Sequence, residues 1–310
     1  MPRILFVKTS SLGDVVHQCP AVSDAARKLA GAQIDWVVEE SFAGIARMHA
    51  SVRGVIPVAT RRWRGALWRR AVWREIGEFR RRLAAQRYDA VVDTQGLLKS
   101  ALITRAASGT RHGMDRASAR EPIAASFYDV THTVPWGQHA VERNRRLTAA
   151  ALGYSLDDPL DYGLRSESTP ADQPPAAYVV LLTMTSRAEK LWPEARWIEL
   201  GRALALPAVL PWGNAEERRR AERIGRGIGQ PTIPQRMTIE ALAELLSNAR
   251  SAIGLDSGLT HLAAALGVPT VAIFCGSEPA LNGVYGAPRA RNVGAAGKPP
   301  QVFEVLENFE

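Results

Sequence analysis

Short apolar runs and amphipathic stretches alternate along the whole chain. Residues 4–7 form an apolar run that ends in the polar stretch T-S-S-L-G-D, after which Val15, Val16, Val22 and Ala26 recur at helical spacing. This order predicts a strand, a loop and one helix. Further apolar runs at residues 34–38, 54–58 and 90–92 alternate with helical segments. Repeated strand-helix units with near-continuous apolar strands imply a parallel sheet covered by helices on both faces. The pattern breaks at S-E-S-T-P-A-D-Q-P-P, which supports neither a helix nor a central strand, so a linker is predicted over residues 166–176. A second series follows, with strand runs at 178–182, 208–211, 251–255 and 270–274 and helical segments at 197–204, 215–228, 237–249 and 259–266. The chain thus divides into residues 1–165 and 177–310, two doubly wound α/β halves. Facing each other, such halves bring the carboxyl ends of both sheets to one cleft, where open α/β sheets bind ligands.

Length agrees with this division, since 310 residues exceed what one compact core usually takes. Cys19 and Cys275 lie far apart within apolar sequence, which suits reduced core thiols better than a disulfide scaffold or a zinc site. No signal-peptide h-region precedes the first strand and no apolar run approaches about 18 residues, so a cytoplasmic protein without a membrane span is expected. Charge changes the picture more. Residues 1–165 hold 25 Lys and Arg against 16 Asp and Glu, the remainder 14 against 15. Ten arginines fall within residues 61–87, with Trp63, Trp68 and Trp73 among them. Any one of these arginines reads as part of a solvated helix face, but the cluster predicts an anionic partner for the first half.

Three strand-to-helix loops carry candidate chemistry. The first places Ser10, Ser11, Gly13 and Asp14 beside free backbone N–H groups; by spacing alone Asp14 reads equally as a helix cap. The second, T-M-T-S-R-A-E-K, gathers Thr185, Ser186, Arg187 and Lys190, hydroxyls and cations suited to phosphate. The third, G-L-D-S-G-L-T-H-L, offers Gly258 for close backbone approach and a helix N-terminus for a phosphate charge. His261 in that loop, taken alone, reads as a core histidine. The turn P-W-G-N-A-E-E adds carboxylates able to accept ribose hydroxyls. A Walker A loop is absent, as is a G-x-G-x-x-G after the first strand, which argues against a P-loop NTPase and an NAD enzyme. No DxD-type acidic pair stands near the donor-side loops, so no metal cofactor is expected.

The wording and order of these segments are more specific than any one of them. V-K-T-S-S-L-G-D, D-T-Q-G-L-L-K-S from Asp93, H-G-M-D from His112, A-R-E-P around Arg120, H-A-V-E-R from His139, S-R-A-E-K-L-W-P-E, L-P-W-G and G-L-D-S-G-L-T-H-L-A-A-A-L span nearly the whole chain. Together they resemble the bacterial lipopolysaccharide heptosyltransferases, above all those that add the first heptose of the inner core. The resemblance implies a GT-B fold of two Rossmann-like domains, the first for the acceptor and the second for the nucleotide-sugar donor. It implies ADP-L-glycero-β-D-manno-heptose as donor, Kdo2-lipid A as acceptor, and inverting transfer without a metal. By position Asp14 matches the general base and Lys190 the lysine facing the donor diphosphate. Thr185, Ser186, Glu217, Met237, Asp256, Ser257, Gly258 and His261 match the donor site, to which Ser10, Ser11 and Gly13 are added. Glu216 competes with Glu217 for the ribose. Arg61, Arg62, Arg64, Lys99 and Arg120 match the basic acceptor surface, and an anionic acceptor implies peripheral attachment to the cytoplasmic face of the inner membrane.

Two other readings share parts of this pattern. A relative adding the second heptose has the same donor and chemistry with a different acceptor. A basic nucleic-acid-binding protein would explain the arginines and tryptophans but leave the donor-side loops unexplained.

Overall fold

The computed structural model describes residues 1–165, 177–229 and 231–309, so the predicted linker lies outside the described residues. The chain forms two compact units, Met1–Leu164 and Arg165–Glu310.

In the first unit the elements run β1 (Arg3–Val7), α1 (Leu12–Val16), α2 (Cys19–Lys28), β2 (Gln33–Glu39), α3 (Ala43–Met48), β3 (Val52–Val58), α4 (Thr60–Arg64), α5 (Arg70–Ala84), β4 (Arg87–Asp93), α6 (Leu98–Ala106), β5 (Ser108–Met114), β6 (Val130–His132) and α7 (Ala140–Leu152). The strands form one parallel sheet in the order β3-β2-β1-β4-β5-β6. β1 is buried on both faces from Ile4 to Val7, which is why it reads as a continuous apolar run. Because the order reverses beside β1, the loops after β1 and β4 diverge over a crevice, the topological switch point.

The single helix predicted after β1 is two. Pro20 enters α2 in its first turn, and with no N–H to give it cannot extend the ladder from α1. β5 and β6 are additions to the predicted strands. Ser108–Met114 has no apolar run because it is only partly buried, and Gly113 is needed where the Tyr128 ring would lie 2.2 Å from a Cβ.

The second unit runs β7 (Val179–Leu182), α8 (Glu194–Ala203), β8 (Ala208–Val209), α9 (Ala215–Ile228), α10 (Ile239–Ser247), β9 (Ser251–Leu255), α11 (Gly258–Ala265), β10 (Thr270–Phe274), α12 (Pro279–Asn282), β11 (Ala290–Gly294) and α13 (Val302–Glu307). Its parallel sheet has the order β11-β10-β9-β7-β8, with the switch point between β7 and β9. β8 keeps only two of the four predicted residues, and β11, a partly exposed edge strand, has no apolar signal. Trp192 and Trp197 meet edge to face at 5.1 Å in the core, where both are fully buried. No helix among the described residues is long and apolar enough to cross a membrane.

Candidate active site

The first cluster sits at the switch point of the first sheet. The loop after β4 stitches down the loop after β1: Gln95 Oε1 accepts from the backbone N–H of Thr9 at 2.8 Å and of Ser10 at 3.2 Å, and its amide donates back to the Ser10 carbonyl. Gln95 is held in turn by Asp93, which accepts from its backbone N–H at 2.8 Å and from the Tyr128 hydroxyl at 2.8 Å. Asp93 is fully buried, and that burial pushes its carboxyl pKa up.

On this platform Asp14 occupies the third position of α1 and reaches back to the start of its helix. The Ser11 backbone N–H and hydroxyl donate to Oδ2 at 2.8 and 3.1 Å, one limb of a capping box. Its other oxygen, Oδ1, accepts from Arg120 Nη2 at 3.0 Å. The capping role and the charged site therefore coexist in one side chain. Burial alone would raise the Asp14 carboxyl, but Lys8, Arg120 and the Ser11 bonds outweigh it and hold the group below the usual carboxylate range. Gly13 gives its carbonyl to the His17 N–H at 2.8 Å, closing α1, and Lys99 Nζ donates to Ser10 Oγ at 2.7 Å.

Lys8 lies under this loop, nearly inaccessible, donating to the Thr94 carbonyl at 2.9 Å and to Asn144 Oδ1 at 3.3 Å. Burial lowers its pKa to about 8. Arg120, Arg143 and Asn144 line a cavity of about 20 Å³ beside it. Arg143 stacks over the Trp136 ring at 3.9 Å and donates to the Ser118 carbonyl at 2.6 Å. Lys8, Gln95 and Arg143 escaped sequence reasoning. The available signals were a lysine closing an apolar strand and an arginine inside H-A-V-E-R.

Of the predicted acceptor residues, Arg61, Arg62 and Arg64 lie on α4 and divide in use. Arg62 pairs with Glu40 at 3.2 Å and with Glu75 at 2.8 Å, while the Arg61 guanidinium stands 5.1 Å over the Phe42 ring. Both Arg61 and Arg64 are exposed.

The second cluster sits at the switch point of the second sheet. Lys190 Nζ donates to Asp256 Oδ2 at 2.6 Å, and Ser277 Oγ donates to the same oxygen. His261 Nε2 lies 3.5 Å from Asp256 Oδ1, and Thr185 Oγ1 donates to the Asp256 carbonyl at 3.0 Å. Burial would raise the Asp256 carboxyl, but His261, Lys190 and Ser277 outweigh it and drive the pKa far down. Gly276 makes the convergence possible, because a Cβ there would lie 2.5 Å from the Glu189 carbonyl. Ser257 stands just before α11, its hydroxyl 3.1 Å from Thr260 Oγ1 and not on a backbone N–H of the helix, and Gly258 opens the helix. Ser186 is exposed on the loop after β7.

Two predicted donor residues are placed apart from these contacts. Glu217 accepts from the Gly213 N–H at 2.7 Å and Asn214 Nδ2 at 2.9 Å at the start of α9, with Glu216 exposed beside it. Met237 is half-buried just before the α10 cap, Thr238. Among the described residues no group of three or more His, Cys, Asp or Glu is arranged to hold a metal ion.

The first unit thus holds an ionised carboxylate among cations, and the second an oriented lysine beside a helix N-terminus. Residues 76–304 match the profile of glycosyltransferase family 9 (heptosyltransferase). The chain is 48% identical over 292 residues to lipopolysaccharide heptosyltransferase 1 of Pseudomonas aeruginosa, covering 92% of this chain and 81% of that protein. It is 44% identical over 292 residues to the Escherichia coli K12 protein of the same name, covering 92% and 91%. A solved structure described as E. coli heptosyltransferase WaaC with ADP superposes with a TM-score of 0.91 at 41% identity over 98% of both chains. That of E. coli ADP-heptose heptosyltransferase II shares the fold at a TM-score of 0.75 and 20% identity, over 99% of this chain and 97% of that one. Both sheets are thus those of a GT-B type enzyme, and the chain belongs to glycosyltransferase family 9, the heptosyltransferases.

Proposed function

We propose that this chain transfers L-glycero-D-manno-heptose from ADP-heptose to a Kdo residue of Kdo2-lipid A, with inversion and without a metal ion, in assembly of the lipopolysaccharide inner core. The observation that carries this reading is the Lys190–Asp256 pair at the second switch point, in a chain 41% identical to a heptosyltransferase solved with ADP. A lysine has three N–H donors. With one fixed on Asp256, the others stay available to a diphosphate, and the side chain loses little freedom when the donor binds.

In the transfer the acceptor hydroxyl oxygen bonds to the anomeric carbon as the bond from that carbon to the diphosphate oxygen breaks. Asp14 takes the hydroxyl proton, and Lys190 together with the α11 N-terminus meets the charge that grows on the departing ADP. Thr185, Ser186, Glu217, Met237, Ser257 and His261 complete the donor site, joined by Ser10, Ser11 and Gly13. Arg61, Arg64, Lys99 and Arg120 receive the anionic acceptor, with Arg62 buttressing α4. The enzyme works at the cytoplasmic face of the inner membrane, held there peripherally by its basic first unit. The test is ADP release with ADP-heptose and Kdo2-lipid A, each omitted in turn. Release that requires both supports the assignment, and release only with an already heptosylated acceptor replaces it with second-heptose transfer.

A further inference from the structure

One exposed feature of the first unit is left unused by the transfer chemistry. Between α4 and α5 the backbone runs through consecutive turns, with Ala66 N–H on the Trp63 carbonyl, Arg69 N–H on the Ala66 carbonyl and Val72 N–H on the Arg69 carbonyl at 2.9 to 3.0 Å. Trp73 Nε1 donates to the Leu67 carbonyl at 2.7 Å and fastens the tip. These bonds present apolar side chains to solvent: Leu67 is 44% exposed, Trp68 76% and Trp73 60%. Trp63 behaves differently. It turns inward, edge-on to Phe79 at 5.7 Å, with its N–H on Glu75 at 2.9 Å, and so anchors the turn to α5.

Below the turn a groove of about 520 Å³ opens between α4, α5 and α6, lined by Trp63, Ile76, Phe79 and Leu102 with Arg80 and Arg105 at its edge. Exposed Arg69, Arg70 and Arg74 flank Trp68 and Trp73 along the chain. Exposed tryptophan with neighbouring exposed arginine matches a bilayer interface, where the indole sits at headgroup depth and guanidinium groups meet lipid phosphates.

We propose that the α4–α5 turn is a bilayer anchor: Leu67, Trp68 and Trp73 enter the headgroup region of an anionic phospholipid membrane, and the neighbouring arginines bind its phosphates. This extends the peripheral attachment proposed above by adding an apolar component that salt does not screen. The arginines steer the protein to the surface, and the aromatic tip holds it there.

The experiment uses the full chain and vesicles of phosphatidylglycerol and phosphatidylethanolamine. Wild type should sediment with them and retain part of that binding at high salt, and phospholipids brominated on the upper acyl chain should quench its tryptophan emission. Trp68→Ser combined with Trp73→Ser should lower vesicle affinity about tenfold or more and remove most of the quenching. Leu67→Asp should weaken binding without removing a fluorophore. ADP release with a fully deacylated, water-soluble acceptor should be unchanged in all these variants, which also shows that they fold. Vesicle affinity in the variants equal to wild type, binding wholly abolished by salt, or quenching that survives the double substitution would overturn the anchor. An absence of ADP release by wild type with any acceptor would instead remove the transfer reading and leave the membrane result standing.

Discussion

Arg120 and Ser11 grip the two oxygens of Asp14 from opposite sides, Arg120 Nη2 at 3.0 Å from Oδ1 and the Ser11 N–H at 2.8 Å from Oδ2. Such a carboxylate is fixed in orientation and ionised throughout the neutral range. Its strength as a base is set by how firmly the cations hold it.

Asp14→Asn should lower kcat by about a hundredfold or more with donor affinity nearly unchanged, as loss of the proposed general base requires. Steady-state kinetics and ADP titration check this. In wild type, activity should fall on the acid side only below the ordinary carboxylate range, because the Asp14 pKa is depressed. Arg120→Leu removes one cause of that depression, so the acid limb of the kcat/KM profile should move to higher pH.

Lys190→Ala should reduce both donor affinity and kcat, since in the proposed transfer the lysine meets more charge on the leaving diphosphate than on the intact donor. A kcat left at the wild-type value would confine Lys190 to binding. Asp256→Asn should reproduce part of the defect by releasing the lysine from its 2.6 Å partner.

Lys8 gives a pH signature in stability. Its folded pKa of about 8 lies below the ordinary value of 10.5, so between these values the unfolded chain binds more protons and the unfolding free energy rises with pH. Lys8→Met should remove that rise. Denaturant melts of both proteins from pH 7 to 11 measure the difference.

Neutralising Arg61, Arg62 and Arg64 together should raise the acceptor KM and make the remaining activity less sensitive to salt, with donor affinity preserved. The single substitutions should differ. Arg62→Ala loses pairs with Glu40 and Glu75 and should act mainly by loosening α4 from α5, whereas Arg61→Ala and Arg64→Ala should act on the acceptor KM.

Excess chelator should leave ADP release intact. Loss of activity in chelator, restored by Mg²⁺ or Mn²⁺, would transfer the charge-stabilising role from Lys190 and α11 to a metal.

How far the sequence discloses this molecule depends on whether a feature is local. The continuous apolar runs of β1, β2, β4, β7, β9 and β10 are visible because each strand is buried on both faces. β5 and β11 are not, because partly exposed strands carry the polar residues of S-G-T-R-H-G-M and A-R-N-V-G. The two clusters follow the same division. Asp14 and Lys190 stand in segments whose wording marks them, but the partnership of Lys8 with Asn144, 136 residues away, exists only once α7 packs against β4 and its neighbours. Asp256 and Ser277 meet because β9 and β10 are neighbours and Gly276 has no side chain.

The buried position of Lys8 bears on the kind of acceptor the first unit can tolerate. Lys8, Arg120 and Arg143 line one small cavity, and Asp14, paired with Arg120 at 3.0 Å, sets a negative charge against Lys8 as well. When Asp14 accepts a proton in the proposed transfer, the negative charge it sets against Lys8 and Arg120 is lost. An acceptor bearing its own carboxylate returns that negative charge at that moment, and a neutral sugar does not. The pocket would then choose its substrate by electrical balance in the transition state, rejecting an uncharged sugar of the same shape through turnover more than through binding.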